Sequence, residues 1–184
     1  DGENNGDWSG KSVSLSSDGS FVAIGATGND GNGNNLYETG HTRIFQNVGG
    51  VWTQFGNDID GKVENDNSGE SISISSDGTV IAIGSQKNNN SKGYVRLYQN
   101  DNGTWSQLGS DIVGEKEGDQ LGASVSLSSD GSVVAIGANK NDGNGINSGH
   151  VRIYKSINET WTQVGSDIDG KSKSDYFGTS VSLS

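Results

Sequence analysis

Residues Leu121 to Ala138 read LGASVSLSSDGSVVAIGA, two short runs in which small or polar residues alternate with aliphatic ones on either side of an Asp-Gly pair. The string returns as SGKSVSLSSDGSFVAIGA from Ser9 to Ala26 and as SGESISISSDGTVIAIGS from Ser68 to Ser85, and its opening returns as FGTSVSLS from Phe177 to Ser184. Alternation with period two is a strand signal, and Asp-Gly between two such runs is a hairpin signal, because both central residues of the favoured turn need positive φ. A hairpin repeated at a period of tens of residues makes the chain a repeat array, which decides the fold class before any other feature.

Outward from the hairpin, each copy carries the same further elements. A loop ending in Asp-x-x-Gly or its variants (Asp7, Asp66, Asp119, Asp175) precedes it, and an Asn/Gly-rich loop follows it. A third run comes next, GHTRIF from Gly40, GYVRLY from Gly93 and GHVRIY from Gly149, then a fourth, WTQFG from Trp52, WSQLG from Trp105 and WTQVG from Trp161. Four short antiparallel strands per unit of this length describe a propeller-type blade. The expected fold is therefore all-β, a repeat protein of four-stranded β-propeller-like blades. The units span about 1–59, 60–112 and 113–168, with a partial fourth at 169–184. No window shows helical spacing. Three blades and one strand do not close a ring of four to eight blades. The array is then part of a larger ring, or an open assembly in which 179–184 adds to an exposed edge of a neighbouring chain.

Side-chain size predicts how the blades stack. Ser12, Ser14, Ala23 and Gly25 give each hairpin a smooth face, and Val13, Leu15, Val22 and Ile24 give it a knobbed one. Knobs of one copy entering the hollow of another supply the nearest-neighbour stabilisation of a repeat protein, in which no unit buries its own apolar face.

Composition narrows the function classes. The chain of 184 residues is 29% hydrophobic with a net charge of −11, which would border on disorder if the apolar residues were not gathered into runs. The acidic balance and the lack of any Lys/Arg cluster argue against nucleic acid, and no apolar run approaches the roughly 20 residues that insert across a membrane. Without cysteine there is no disulfide, thiolate catalyst or zinc-thiolate site.

The repeats resemble FG-GAP repeats, the units of the integrin α-chain propeller and of many surface proteins. Phe177-Gly178 and Leu121-Gly122 stand for the opening pair of that family, with Ser9-Gly10 and Ser68-Gly69 as weaker versions, and Gly25-Ala26, Gly84-Ser85 and Gly137-Ala138 stand for the closing one. The resemblance implies a non-enzymatic extracellular or cell-surface protein for adhesion or structural scaffolding, with protein or glycan partners at a surface or matrix. It also implies a calcium loop between the first two strands. There this chain has only Ser-Ser-Asp-Gly-Ser/Thr, one carboxylate in a turn too short to wrap a cation that takes six to eight oxygens.

A better oxygen-rich pattern lies between the second and third strands, where Asp30, Asn32, Asn34, Asp142 and Asn144 are the candidate calcium ligands. Asn89, Asn102 and Asn158 open N-x-Ser/Thr sequons and are candidate glycan acceptors. Trp52, Tyr94, Trp105 and Trp161 are the candidate ligand platforms of a glycan-binding alternative, although the tryptophans also suit a plug of the outer strand against the hairpin. The recurrent acids and Arg43, Arg96 and Arg152 are expected to cap loops and pair with one another. His41 and His150 stand in non-adjacent units, which disfavours a two-histidine site or a catalytic dyad.

Overall fold

The structure is a computed structural model that describes residues 2–31 and 37–184. Among the described residues the strands form three antiparallel sheets, one per complete repeat. The first contains β1 (Ser9–Leu15), β2 (Phe21–Ala26), β3 (His41–Val48) and β4 (Val51–Gln54) in that order. The second runs β6 (Ser71–Ile74), β7 (Val80–Ser85), β8 (Tyr94–Asp101), β9 (Thr104–Gln107), and the third β11 (Leu121–Leu127), β12 (Val133–Ala138), β13 (His150–Ile157), β14 (Thr160–Gln163). The chain is thus an all-β array of blade-like units.

Each blade also has a short fifth strand. β5 (Ile59–Asp60), β10 (Ile112–Val113) and β15 (Ile168–Asp169) pair with the first residues of β3, β8 and β13, while β4, β9 and β14 pair with their last residues. The outer edge of the blade is therefore one interrupted strand. Gln54, Gln107 and Gln163 brace the interruption, each donating Nε2 to the carboxylate of Asp58, Asp111 and Asp167 at 2.6–2.7 Å. The Asn-rich loop of the middle unit closes into a single helical turn, α1 (Asn88–Ser91), which the pattern of the sequence does not announce.

The Asp-Gly turn differs from the expected two-residue type. Only the glycine has positive φ (Gly19, +69°), and Ser16 N bonds Phe21 O across a four-residue loop built on the Gly19 N to Ser16 O bond. The reason is local hydrogen bonding. Asp18 Oδ1 accepts Ser20 N at 2.9 Å and the hydroxyls of Ser16 and Ser20 at 2.8 and 2.7 Å, an arrangement a two-residue turn could not hold. Asp77 and Asp130 repeat it.

Blades stack as the side-chain sizes predict, with the knobs of each unit seated in the hollow of the one before it. Ile72, Ile74, Ile81, Ile83 and Tyr98 of the second unit cluster with Ala23, Ile44 and Ile59 of the first. Val125, Leu127, Val134 and Ile136 of the third cluster with Ala82, Val95, Leu97 and Ile112 of the second. The first unit's knobs have no such seat: Val13 and Leu15 are 57% and 58% exposed against 8% and 7% for Ile72 and Ile74.

The serine face is more than a smooth hollow. Ser12, Ser71 and Ser124 donate Oγ to the carbonyls of Gly69, Gly122 and Gly178 in the following unit at 2.7–2.8 Å. Ser14, Ser73 and Ser126 accept Ile74 N, Leu127 N and Leu183 N at 2.9–3.1 Å. Each innermost strand has a sheet partner on one side only, so its other edge needs partners for its amides and carbonyls. The preceding blade's Ser-x-Ser supplies them.

Glycine makes that approach possible. A Cβ on Gly84 would lie 2.4 Å from Gly122 O, and one on Gly122, at φ +86°, 2.6 Å from Tyr94 O. The opening and closing glycines of the repeat are the two sides of one backbone-to-backbone contact.

Candidate functional site

The polar side chains that recur in register gather at the start of the third strand of each blade. Residues i and i+2 of a strand share a face, so His41 and Arg43, Tyr94 and Arg96, and His150 and Arg152 project together. The carboxylates of Asp58, Asp111 and Asp167 reach them from the loop before the short fifth strand. Arg96 donates Nε to Asp111 Oδ2 at 2.9 Å, and Arg152 donates Nε and Nη2 to Asp167 at 2.9 and 2.6 Å. Arg152 Nη2 also meets Glu115 Oε1 at 2.5 Å, and Arg43 Nη1 meets Glu3 Oε1 at 3.5 Å.

The Asp-x-x-Gly acids close the loops that carry them. Asp7 accepts Asn4 N, Asp66 accepts Lys62 N, Asp119 accepts Lys116 N and Asp175 accepts Lys171 N, at 2.7–2.9 Å. In the middle unit Asp66 also accepts the Tyr94 hydroxyl at 2.7 Å and a short bond from Asn88 Nδ2. Arg96 lies over the Tyr94 ring, 3.8 Å from its centroid. Burial holds the Tyr94 phenol well above its ordinary value despite the nearby guanidinium, so Tyr94 acts as a neutral donor.

The histidines do not meet each other, as their positions in the repeat imply, but each meets two carboxylates of its own blade. His41 Nδ1 lies 3.9 Å from Glu3 Oε2 and 3.8 Å from Asp58 Oδ2, and His150 Nδ1 lies 3.7 Å from Asp167 Oδ2. Glu115 completes the second group. Burial and then the Arg152 charge push the His150 imidazole below its ordinary value. Sequence reasoning missed both groups because it weighed the histidines against each other. The signal it had was internal: Glu3 and Glu115 share a repeat position with Lys62 and Lys171, and Glu accompanies His where Lys accompanies Tyr.

The remaining candidates are placed as follows. Asp30 Oδ1 accepts Glu38 N at 3.0 Å and Asp142 Oδ1 accepts Asn147 N at 2.7 Å, while Asn144 Nδ2 donates to Gly170 O at 3.0 Å. These groups tie their own loops, which fits turn formation better than a calcium cage. Asn32 and Asn34 lie outside the described residues. The single carboxylate of the Ser-Asp-Gly turn is spent on its own serines, so the first hairpin does not fit the calcium ion that the family resemblance implies. Asn102 and Asn158 sit exposed in the β8–β9 and β13–β14 turns, and Asn89 is in α1.

Trp105 and Trp161 donate Nε1 to Phe55 O and Leu108 O of the preceding blade at 3.1 and 2.9 Å, which makes them outer-strand plugs. Trp52 is 45% exposed, in an apolar concavity with Leu15, Val22, Ile24 and Phe45. Tyr94 is 2% exposed, out of reach of a ligand in solvent.

Comparisons with known proteins agree with this plan. The fold is similar to that of a Bacteroides uniformis protein assigned as a 6-phosphogluconolactonase (TM-score 0.57, 15% identity, 85% of this chain and 40% of that one). It is similar to Sqt1 of Saccharomyces cerevisiae (TM-score 0.60, 15% identity, 92% of this chain and 38% of that one). It is also similar to hydrazine synthase of Kuenenia stuttgartiensis (TM-score 0.54, 11% identity, 93% of this chain and 40% of that one). This chain spans about two fifths of the length of each. No curated protein matches it by sequence. Residues 114–154 match the family model described as the FG-GAP repeat, and the units on either side share that segment's strand order, seam glycines and serine pairs.

Proposed function

We propose that the chain is a non-enzymatic repeat scaffold of an extracellular or cell-surface protein, presenting its loop faces to protein or glycan partners in adhesion or in a matrix. The observation that carries this reading is how the recurrent polar groups are used. The serines, the Asp-x-x-Gly acids and the N–H groups of Trp105 and Trp161 are engaged in seams or in closing loops, so most positions the repeat keeps constant serve architecture. FG-GAP repeats are typical of integrin-like propeller proteins, often extracellular, and the family is generally not enzymatic. The likeness to a lactonase at 15% identity speaks for shared fold alone. No helix among the described residues is long and apolar enough to cross a membrane. The test is antibody labelling of intact source cells, together with attachment of beads coated with the chain to those cells. Surface label with bead attachment is expected, and label seen only after permeabilisation overturns the reading.

A second reading, glycan binding, is favoured by one cleft. A hollow of about 300 Å³ between the outer strands of the second and third blades is lined by Asp111, Tyr154, Glu159 and Trp161, aromatic and acidic groups of the kind that stack on and hydrogen-bond to sugars. On a glycan array it predicts binding that Tyr154→Ala abolishes.

A further inference from the structure

The two histidine clusters carry an inference of their own. In the first blade Glu3, His41 and Asp58, and in the third Glu115, His150 and Asp167, bring one imidazole and two carboxylates within 4.8 Å of one another. Both imidazoles are enclosed, at 2% and 1% exposure, and aim Nδ1 at carboxylate oxygens 3.7–3.9 Å away, beyond hydrogen-bond reach. His150 Nε2, the ring nitrogen that does not face those carboxylates, is buried without a partner. A buried polar ring held beside carboxylates it does not touch needs an explanation.

The middle blade supplies one. There Lys62 replaces the glutamate and Tyr94 the histidine; Lys62 Nζ lies 3.9 Å from Asp111 Oδ1 and donates to Gln107 Oε1 at 2.6 Å. Counting the Asp-x-x-Gly acid, the first and third blades each place three carboxylates against one guanidinium, a charge of −2 with neutral histidine. The middle blade places two carboxylates against a guanidinium and an ammonium, and is neutral. The difference is the charge of one divalent cation.

We propose that Glu3, His41 and Asp58, and likewise Glu115, His150 and Asp167, are binding sites for a divalent transition metal of the zinc type. Ligand atoms about 2.0–2.2 Å from tetrahedral zinc lie roughly 3.3–3.6 Å apart; the imidazole–carboxylate pairs at 3.7–3.9 Å need to close by a few tenths of an ångström, and the widest pairs of each group, within 4.8 Å, by about one ångström, with water as fourth ligand. Imidazole with two carboxylates suits zinc-type ions and not calcium, which takes six to eight oxygens. In the first blade Arg43 meets Glu3 through Oε1 at 3.5 Å, which leaves Oε2, the oxygen facing the imidazole, for the metal. In the third blade Arg152 Nη2 bridges Glu115 Oε1 and Asp167 Oδ2 at 2.5 and 2.6 Å, so the ion enters there only as the guanidinium withdraws from that bridge.

Calorimetric titration of the chelator-stripped chain with Zn²⁺ and the visible spectrum of the Co²⁺-loaded chain test the proposal. The expected result is two equivalents of Zn²⁺ bound at micromolar or lower concentration, Co²⁺ bands in the visible, and no heat with Ca²⁺. Glu3→Lys and Glu115→Lys, which install the middle blade's residue at accessible positions, should each remove one equivalent, and the double variant both, with circular dichroism unchanged. His41→Tyr and His150→Tyr provide a second pair with the same expectation. No uptake, or uptake by the double variant equal to that of the parent, overturns the proposal; one equivalent lost only with Glu3→Lys confines it to the first blade.

Discussion

Asp18 and Asp130 show how much one exposed side chain can be asked to do. Bonds from the Ser20 hydroxyl and amide, and then from Ser16, hold the Asp18 carboxyl at about 2, below its ordinary 3.8, and Ser128 and Ser132 hold Asp130 at about 2 as well. Asp77 is lowered too: partial burial pushes it up, and its bonds to Ser75 and Thr79 outweigh that. A carboxylate whose folded pKa is depressed stabilises the fold above its unfolded value, and the contribution is lost as pH falls through the folded one. The melting temperature should therefore decline between about pH 4 and pH 2 by more than Asp18→Asn/Asp130→Asn double variants decline, measured by circular dichroism in parallel pH series. Equal slopes would show that the turns contribute nothing to acid stability. At the same scale, Gly84→Ala sets a methyl 2.4 Å from both Gly122 O and Ser71 Oγ, backbone and hydroxyl that already bond each other. Overpacking of this kind costs on the order of 1–3 kcal/mol, readable as a lowered urea midpoint.

At the scale of the element, the Ser-x-Ser strand makes its own prediction. Ser71→Ala/Ser73→Ala leaves Gly122 O and Leu127 N at a buried seam without their partners. An unsatisfied buried group costs about 1–3 kcal/mol, so the double change should destabilise by several kcal/mol while Ser17→Ala, at an exposed bond of 3.3 Å, changes little. Much of this strand was legible in the sequence: its period-two pattern gave the hairpin, the smooth and knobbed faces gave the stacking, and Trp105 and Trp161 were already candidates for plugs. The rest depends on edges. Which hydroxyl meets which amide is fixed by the offset between blades, and a pattern within one strand carries no record of it. The same limit hid β5, two residues long and visible only as a partner of His41 and Thr42. It hid the metal-type clusters as well, because Glu3 and His41 are far apart in sequence and meet only once the loop folds over the start of β3. The turn type was misread for a different reason: Asp-Gly favours two residues in isolation, and the bonds of Asp18 to Ser16 and to the amide and hydroxyl of Ser20, repeated at Asp77 and Asp130, outweigh that preference here.

For the whole molecule, burial falls from the middle blade outward, and stability should follow it. Ile59 and Ile112 of the fifth strands are 5% and 6% exposed beneath the next blade, while Ile168, at the same position of the third, is 50% exposed. All six residues of β7 are buried, whereas β1 has none buried. In an array held by nearest-neighbour interfaces, a unit with two seams is more protected than a unit with one. Native-state hydrogen exchange should therefore find the slowest amides in β7 and β8, intermediate ones in β12 and β13, and the fastest strand amides in β1 and β4. The ordering tests whether the seams, rather than the individual sheets, hold the molecule. Sheets that were stable alone would exchange at rates set by their own hydrogen bonds, and the three second strands β2, β7 and β12, equally paired on both sides, would then be equally slow. Ala23→Leu sharpens the distinction. It overpacks the first seam, where Ala23 is fully buried among Ile72, Ile81 and Ile83. It should speed exchange in the first and second blades while leaving the third, which keeps its own seam with the second, close to its parent rate.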